Sequence, residues 1–590
     1  MMAKPQQRQT GDWALLRRFL QWTRPSRWQL ITSIALIPLV VVCGIAQPRI
    51  LGVAIDEYML QGDLDGLMGA ALLFFVVIVL EYIIGGAQIF LITACGVRSV
   101  GGLRRDVYRH VMRQGQRFFD RRPIGSLLSR TTTDIEAVGE ALATGVVGIL
   151  TDVVRLVGIV SYMFSLDWKL TLVAFAVMPL VAIAVHFARA KLRDLSTWIR
   201  IYTARMNGYM QDQLAGVEIV QLMGGEESSS REFDVLNRKN VRAVHWANFY
   251  DAMLYAVMDG VSSICIAAVV WYGGARVLMG GLTPGMLVAF VEYIQKALIP
   301  VKEFSGKFAT LQRTMAALDR VFGLLDTHEE VHVGDCLIAE PKGHIRFEDV
   351  TYRYPQTHHD VLHNVSFEVK PGDVVALVGS TGAGKSTICR LLTQAYDGYQ
   401  GSITVDGIEV RDLAPSQLCE LVAVVHQDVF LFQGTIRFNA TLGDPNITDE
   451  RLSQALDIAE ARGLVDAIPG GLEAMLVERG RNLSAGQGQL LTLTRAVSRM
   501  SDVVVLDEAT ASVDPITEAL IQNGIGRILA SKTVLVVAHR LSTVRAADKI
   551  VVLENGQIVE SGTHMELLQE KGRYAVLHDT QRAFDGILLK

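Results

Sequence analysis

From Trp28 to Pro48 the chain runs for 21 positions without a charged residue. At about 1.5 Å of rise per residue, that is enough helix to cross a hydrocarbon core of roughly 30 Å. The run constrains the fold strongly, because backbone polar groups in lipid must be satisfied internally and a helix does this within one segment. Further largely apolar runs lie at about Gly66 to Val97, Leu142 to Leu166, Leu170 to Ala188, Tyr250 to Gly273 and Pro284 to Pro300, so six spans are expected. Half of all residues are apolar, and the excess falls almost entirely before residue 320.

Charge sets the orientation. Between the second and third spans stand Arg98, Arg104, Arg105, Arg109, Arg113, Arg117, Arg121, Arg122 and Arg130, whereas the connection after the first offers Asp56, Glu57, Asp63 and Asp65 against Arg49. Basic connections stay in the cytosol, so both termini are expected there. The stretches Arg98 to about Glu140 and Arg189 to about Asn248 are long, helical in pattern and nearly free of proline. They predict spans that continue well below the membrane and end in short turns, with Arg122-Pro-Ile-Gly125 and Gly216 to Gly224 as candidates. Upstream, Asp12 to Thr23 sets Trp13, Leu15, Leu16, Phe19, Leu20 and Trp22 against Arg17 and Arg18. This is the pattern of a helix lying on the bilayer surface, or of an ordinary soluble helix start. Met1 to Gln9 is polar, and no signal peptide is expected.

Glu81, Asp152, Arg155, Asp259, Glu292 and Lys296 interrupt the apolar runs, where a lipid-facing charge is costly. Asp152 with Arg155, and Glu292 with Lys296, have the spacing of pairs that neutralise each other along one helix. Glu81 and Asp259 have no such neighbour and are expected to face a bundle interior or a water-filled cavity. Glu81, Asp259 and Glu292 are therefore the candidate cavity residues; if Glu81 and Asp259 line one cavity, it would favour a cationic or amphipathic solute. Cys43, Cys95, Cys265, Cys336, Cys389 and Cys419 show no C-x-x-C spacing and read as thiols of a reducing compartment.

The second half changes character. After a polar linker from Phe322 to about Lys342, short β runs begin, and the apolar strand Val374 to Val378 leads into Gly379-Ser380-Thr381-Gly382-Ala383-Gly384-Lys385-Ser386, with a helix opening at Thr387. This is a phosphate-binding loop in its strand-loop-helix setting. Glycines let successive N–H groups point at phosphate oxygens, Lys385 is placed for the β and γ phosphates, and Ser386 is placed for Mg²⁺. Tyr354, some 25 residues earlier, is placed to stack on an adenine ring; without the other motifs it reads as a core tyrosine. Gln427 follows the strand Leu421 to Val425 and suits Mg²⁺ or the attacking water. Ser484-Ala485-Gly486-Gln487 opens a helix whose N-terminus suits phosphate. The strand Val503 to Leu506 ends in Asp507, suited to hold Mg²⁺ through water, and Glu508, suited to act as general base. Asp514 follows, and His539 ends another apolar strand, placed for the γ-phosphate.

Tyr354, Gly379 to Ser386, Gln427, Leu483-Ser-Ala-Gly-Gln487, Leu506-Asp-Glu508, Asp514 and His539, after six spans with long extensions, resemble an ABC transporter half-subunit of the exporter type. The resemblance runs from about residue 12 to about residue 580. It implies an α-helical membrane domain of six transmembrane helices with long cytosolic extensions, followed by an α/β P-loop ATPase domain. The expected limits are 1–27 for the N-terminus with its interfacial helix, 28–320 for the membrane domain, 321–342 for a linker, 343–582 for the ATPase domain and 583–590 for a tail. It also implies ATP and Mg²⁺ as cofactors, with ATP sandwiched between one chain's P-loop and Ser484 to Gln487 of another, Asp514 in the adjoining loop, and the two short turns as coupling helices.

Departures from the family pattern bear on the partner. Ala485 stands where glycine is usual, Gly488 where a basic residue is usual, and Ala511-Ser-Val precedes Asp514. With Glu508 and His539 kept, this resembles one half of heterodimeric exporters of the multidrug-resistance-like Mdl type; a homodimer is the alternative. The expected activity is ATP-driven export of an amphipathic drug, lipid or peptide across a bacterial plasma membrane. An importer on the same scaffold and an ATP-gated regulator without net transport are the other readings. The formal net charge of −5 leaves no basic excess for a nucleic-acid partner.

Overall fold

The computed structural model describes residues 12–140, 145–176, 178–329, 334–355, 357, 359–499, 501–507, 514–538 and 541–588, apart from the side chains of 12, 178–186, 188–190, 302, 305, 542 and 581–588. The chain divides into two compact units, Met1–Met112 with Ile124–Thr327, and Arg113–Pro123 with His328–Lys590. In the first unit the helices are α1 (Asp12–Thr23), α2 (Arg27–Val53), α3 (Leu64–Met112), then, after α4 (Gln116–Asp120) of the second unit, α5 (Ile124–Thr131), α6 (Thr133–Glu140), α7 (Gly148–Leu166), α8 (Trp168–Phe175), α9 (Met178–Ala215), α10 (Val217–Leu222), α11 (Glu226–Leu278) and α12 (Pro284–Leu325).

Five helical stretches among the described residues are long and apolar enough to cross a membrane. The sixth expected span, Leu170 to Ala188, runs over residue 177 and side chains outside those described. The long extensions are present: α3 has 49 residues, α11 has 53 and α12 has 42, roughly twice what one bilayer core requires. The first basic connection differs from expectation, because α3 runs unbroken to Met112 and the chain then turns through the five-residue α4, just before the expected turn at Arg122.

Helical periodicity builds the membrane unit's core. Ile159 and Met163 of α7, Cys265 and Val269 of α11, and Phe290, Tyr293 and Ala297 of α12 are buried in one cluster, at the three- and four-residue spacing that puts side chains on one helix face. The Tyr293 hydroxyl, which such burial would otherwise strand, donates to the Ile45 carbonyl at 2.7 Å. In α1, Leu15 and Phe19 are buried in the protein while Trp13 is 85% exposed. Trp22 stacks on Phe322 at 5.7 Å, and Arg18 forms a two-pronged pair with Asp326 at 2.7 Å. One face of α1 is thus a protein contact.

The second unit is an α/β structure with two main sheets and a short antiparallel pair, Gly434–Thr435 with Met475–Leu476. Its strands are β1 (Ile345–Tyr352), β2 (Leu362–Val369), β3 (Val374–Gly379), β4 (Gln400–Val405), β5 (Ile408–Glu409), β6 (Val422–Val425), β7 (Gly434–Thr435), β8 (Met475–Leu476), β9 (Val503–Asp507), β10 (Thr533–Val537), β11 (Lys549–Glu554) and β12 (Gln557–Gly562). A four-stranded sheet has the order β2-β1-β4-β5, and a six-stranded sheet β12-β11-β3-β10-β9-β6. All pairings in the larger sheet are parallel except β11 with β12. Its strands read as unbroken valine and leucine runs because both faces are covered. Val375, Leu377, Val503 and Val505 enter one core, while Val374, Ala376, Val504 and Leu506 enter the other, the two-residue alternation of a pleated strand. All six cysteines are free thiols.

Candidate functional site

The parallel strands bring the sequence motifs to one edge. Leu377 of β3, Val537 of β10 and Asp507 of β9 lie in one row, and Val425 of β6 sits beside Leu506. The P-loop, Asp507 and the loop carrying Gln427 therefore leave the sheet on the same side, where open α/β sheets bind their ligands. Asp507 is two strands from Leu377, about 10 Å at the usual strand spacing. Glu508 and His539 lie outside the described residues.

The loop itself needs its glycines. A Cβ on Gly379 would meet the Leu553 carbonyl oxygen at 2.2 Å. Gly384 has φ +105° and its Cβ would stand 2.6 Å from a Leu362 methyl, so α13 (Lys385–Leu392) can begin here only from glycine. Ser380, Thr381 and Gly382 form an exposed tip, Ala383 and Gly384 are buried, and Ser386 is exposed. Lys385 is 6% exposed and folds back to donate to the carbonyls of Gly379 at 2.7 Å and Ser380 at 3.0 Å. Burial lowers its pKa, opposed by Asp507, as expected for an ammonium whose anionic partner is supplied by a ligand.

Tyr354 is half-buried and held in place. Its hydroxyl is 3.1 Å from the Thr387 hydroxyl, and its ring meets Tyr352 and Tyr396 edge-on at 5.0 and 5.1 Å. Arg390 lies over Tyr396, whose hydroxyl donates to Asp120, and Arg117 pairs with Asp397 at 2.9 Å. Tyr396 was not legible as a site neighbour, because an aromatic shortly after a buried helix reads as core.

Ser484 caps the helix Ala485–Ser498. Its hydroxyl accepts from Gln487 N–H at 3.2 Å, while its own N–H donates to the Gln487 amide oxygen at 2.9 Å. This capping box fixes the turn and leaves the hydroxyl hydrogen free to donate outward. Ser484 and Ala485 are exposed; Gly486 and Gly488 are buried. Asp514 caps the helix Pro515–Leu529 by accepting from Thr517 N–H at 2.9 Å, and this bond holds its carboxyl below the ordinary value.

In the membrane unit the charges pair across helices, which corrects the expectation of pairs along one helix. Asp152 accepts from Lys307 at 2.6 Å, Arg155 stands 3.9 Å from Glu81, and Lys296 donates to Gln47 at 2.7 Å and to the Gly44 carbonyl at 3.0 Å. Glu81, Arg155, Lys296 and Gln47 line a cavity of about 580 Å³ walled by Val40, Ile159 and other apolar side chains. Asp259 and Glu292 are not on its lining, so Glu81 and Asp259 do not share it. With one carboxylate against two cations, its charge is opposite to that expected from carboxylates alone.

Residues 30–299 match the family model described as ABC transporter transmembrane region, and residues 362–511 that described as ABC transporter. The chain is 33% identical to YknV of Bacillus subtilis, an uncharacterized ABC transporter ATP-binding protein, over 97% of this chain and 95% of that one. It is 32% identical to the ATP-dependent lipid A-core flippase of Chromohalobacter salexigens over 97% and 99%. Against YgaD of B. subtilis, a putative multidrug export ATP-binding/permease protein, identity is 30% over 96% and 99%. Membrane region, P-loop edge and relatives agree: the chain belongs to the ABC transporter family, as a membrane protein that carries its helical transmembrane region and its ATP-hydrolysing domain in one polypeptide.

Proposed function

We propose that the chain is one half of a dimeric exporter that uses ATP hydrolysis to move an anionic amphipathic compound outward across the plasma membrane. The observation that carries this reading is the Glu81, Arg155 and Lys296 cavity. Its apolar walls suit a hydrophobic body, and its excess of cations suits a negative headgroup. Full-length similarity to a lipid A-core flippase and a putative multidrug export protein supports the direction and the amphipathic class. Both termini and the ATPase face the cytosol in this reading, in line with the arginine-rich connection after α3.

At the ATP site, Gly379 to Thr387 cradles the phosphates, Tyr354 stacks on the base and Lys385 swings from its backbone carbonyls to the γ-phosphate. Ser386, Gln427 and Asp507 offer a hydroxyl, an amide oxygen and a carboxylate on one edge of the sheet, the hard oxygen donors that suit Mg²⁺. The ion, when bound, neutralises charge on the transferring phosphate. Glu508 positions the attacking water and His539 holds the γ-phosphate. Ser484 to Gln487 presents a helix N-terminus and a free hydroxyl hydrogen to a partner's ATP, so that two chains complete each site. Ala485 and Gly488 favour a second, different half-transporter as that partner.

Glu508→Gln tests the assignment. It should keep ATP binding and lower turnover by at least about a hundredfold, the usual cost of removing a general base. Half the wild-type rate in the variant would remove Glu508 from that role.

A further inference from the structure

Outside the Glu81 cavity and the ATP site, α9 and α11 border an open groove of about 680 Å³. Two helical stripes build it. On α11, Arg238, Arg242 and Trp246 follow one another at the four-residue steps of a single face, with Lys239 three positions before Arg242, and on α9 Trp198 and Tyr202 are likewise four apart. Trp198 stacks on Tyr202 at 5.7 Å with an interplanar angle of 22°. Trp246 meets Phe249 edge-on at 5.7 Å.

The two indoles are each about half exposed, Trp198 at 51% and Trp246 at 47%. Such a surface is unfavourable in water and favoured where a bilayer ends, because an indole has an apolar body and a polar N–H. The cations beside them are uncommitted. Arg238 donates only to the Asp234 carbonyl of its own helix, at 3.4 Å, and among the described residues Arg238, Lys239 and Arg242 form no ion pair. An arginine-rich surface is ordinarily just a solvated face; here three cations with no acidic partner among the described residues line an open groove floored by two indoles.

Depth supplies the ligand. The apolar run of α11 starts at about Tyr250, and Trp246 is one turn below it. Arg242 is two turns below, about 12 Å along the axis, and a long basic side chain snorkels upward by several Å. This level holds the phosphates of the cytosolic leaflet.

We propose that α9 and α11 form a binding site for an anionic phospholipid of the inner leaflet, the phosphate-bearing headgroup held by Arg238, Lys239 and Arg242 and the first acyl carbons lying against Trp198 and Trp246. It shares no lining residue with the Glu81 cavity, and it rests on the membrane placement of α9 and α11, not on the identity of the transported compound.

Native mass spectrometry of the full-length protein tests this, using phosphatidylglycerol and phosphatidylcholine in mixed micelles. Phosphatidylglycerol should be retained, phosphatidylcholine should not. Arg238→Gln, Lys239→Gln and Arg242→Gln together should weaken retention roughly a hundredfold, about fivefold for each surface charge. ATP binding by the triple variant should be unchanged, which reports that it is folded. Trp246→Ala should weaken phosphatidylglycerol further with all three cations in place. Equal retention by wild type and triple variant overturns the site. Displacement by inorganic phosphate at the same concentration as the lipid would make it a phosphate site instead. A change in assembly mass on neutralising the three cations would make this face a contact with a second chain. Either outcome defeats the proposal.

Discussion

Arg155 and Glu81 meet across α7 and α3, the guanidinium 3.9 Å from the carboxylate, while Asp152, one turn away on Arg155's own helix, is bound by Lys307 at 2.6 Å. Tertiary geometry has exchanged the partners that sequence spacing offers, and the result is a cavity with one cation in excess. Arg155→Gln and Lys296→Gln should each raise the concentration of an anionic amphipath needed for half-maximal ATPase stimulation, by about tenfold, or ~1.4 kcal/mol. Glu81→Gln should lower it. An unchanged concentration in all three variants would return these residues to a packing role.

The buried Lys385 gives a pH signature. Its pKa in the ATP-free protein lies below the ordinary 10.5 because burial disfavours the charge. Across the window from that lowered value up to 10.5, the unfolded chain holds the proton and the folded chain does not, so this group's contribution to stability rises with pH. ATP phosphates restore the charge, so binding in that window should take up a proton and weaken as pH rises. Calorimetry in two buffers of different ionisation enthalpy, within that window, would read this as an uptake absent from Lys385→Met; equal heats for both proteins would contradict it.

At Tyr354 the ring and the hydroxyl separate cleanly. Tyr354→Ala should weaken ATP binding by roughly tenfold or more, since base stacking on an aromatic is worth about 1–3 kcal/mol. Tyr354→Phe keeps the ring, losing only the 3.1 Å contact to Thr387, and should stay close to wild type. Equal loss in both would assign the effect to the hydroxyl network.

Ser484 has two duties that one variant can split. Ser484→Ala removes the cap of Ala485–Ser498 and should cost about 1 kcal/mol of stability as well as most of the turnover. Ser484→Asp retains the cap but sets a negative charge where a phosphate would approach, so it should keep stability and lose turnover. An active Ser484→Asp variant would detach this helix from nucleotide contact.

Much of this was readable in the sequence because it depends on local chemistry. A charge-free run must be a span, and Gly379 to Ser386 must follow a buried strand. The extents of α1 and the long extensions are fixed by periodicity. What was not readable depends on which helix faces which. Asp152 could be placed beside Arg155 by spacing, but Lys307 is 155 positions away, and only packing brings it there. The same holds for Gln47, which meets Lys296, and for Tyr396 beside Tyr354. Asp514 reads from the resemblance as part of the loop adjoining the ATP sandwich, while its cap on Thr517 is a local duty that the Asp-Pro sequence signals directly.

Transport direction is the central claim. Inside-out membrane vesicles from cells carrying the chain among its native half-transporters, supplied with ATP and an anionic amphipathic dye, should concentrate the dye in their lumen. Vesicles in which this chain carries Lys385→Ala should not. Equal accumulation in both, or ATP-driven loss of dye from the lumen, would contradict ATP-driven export by this protein.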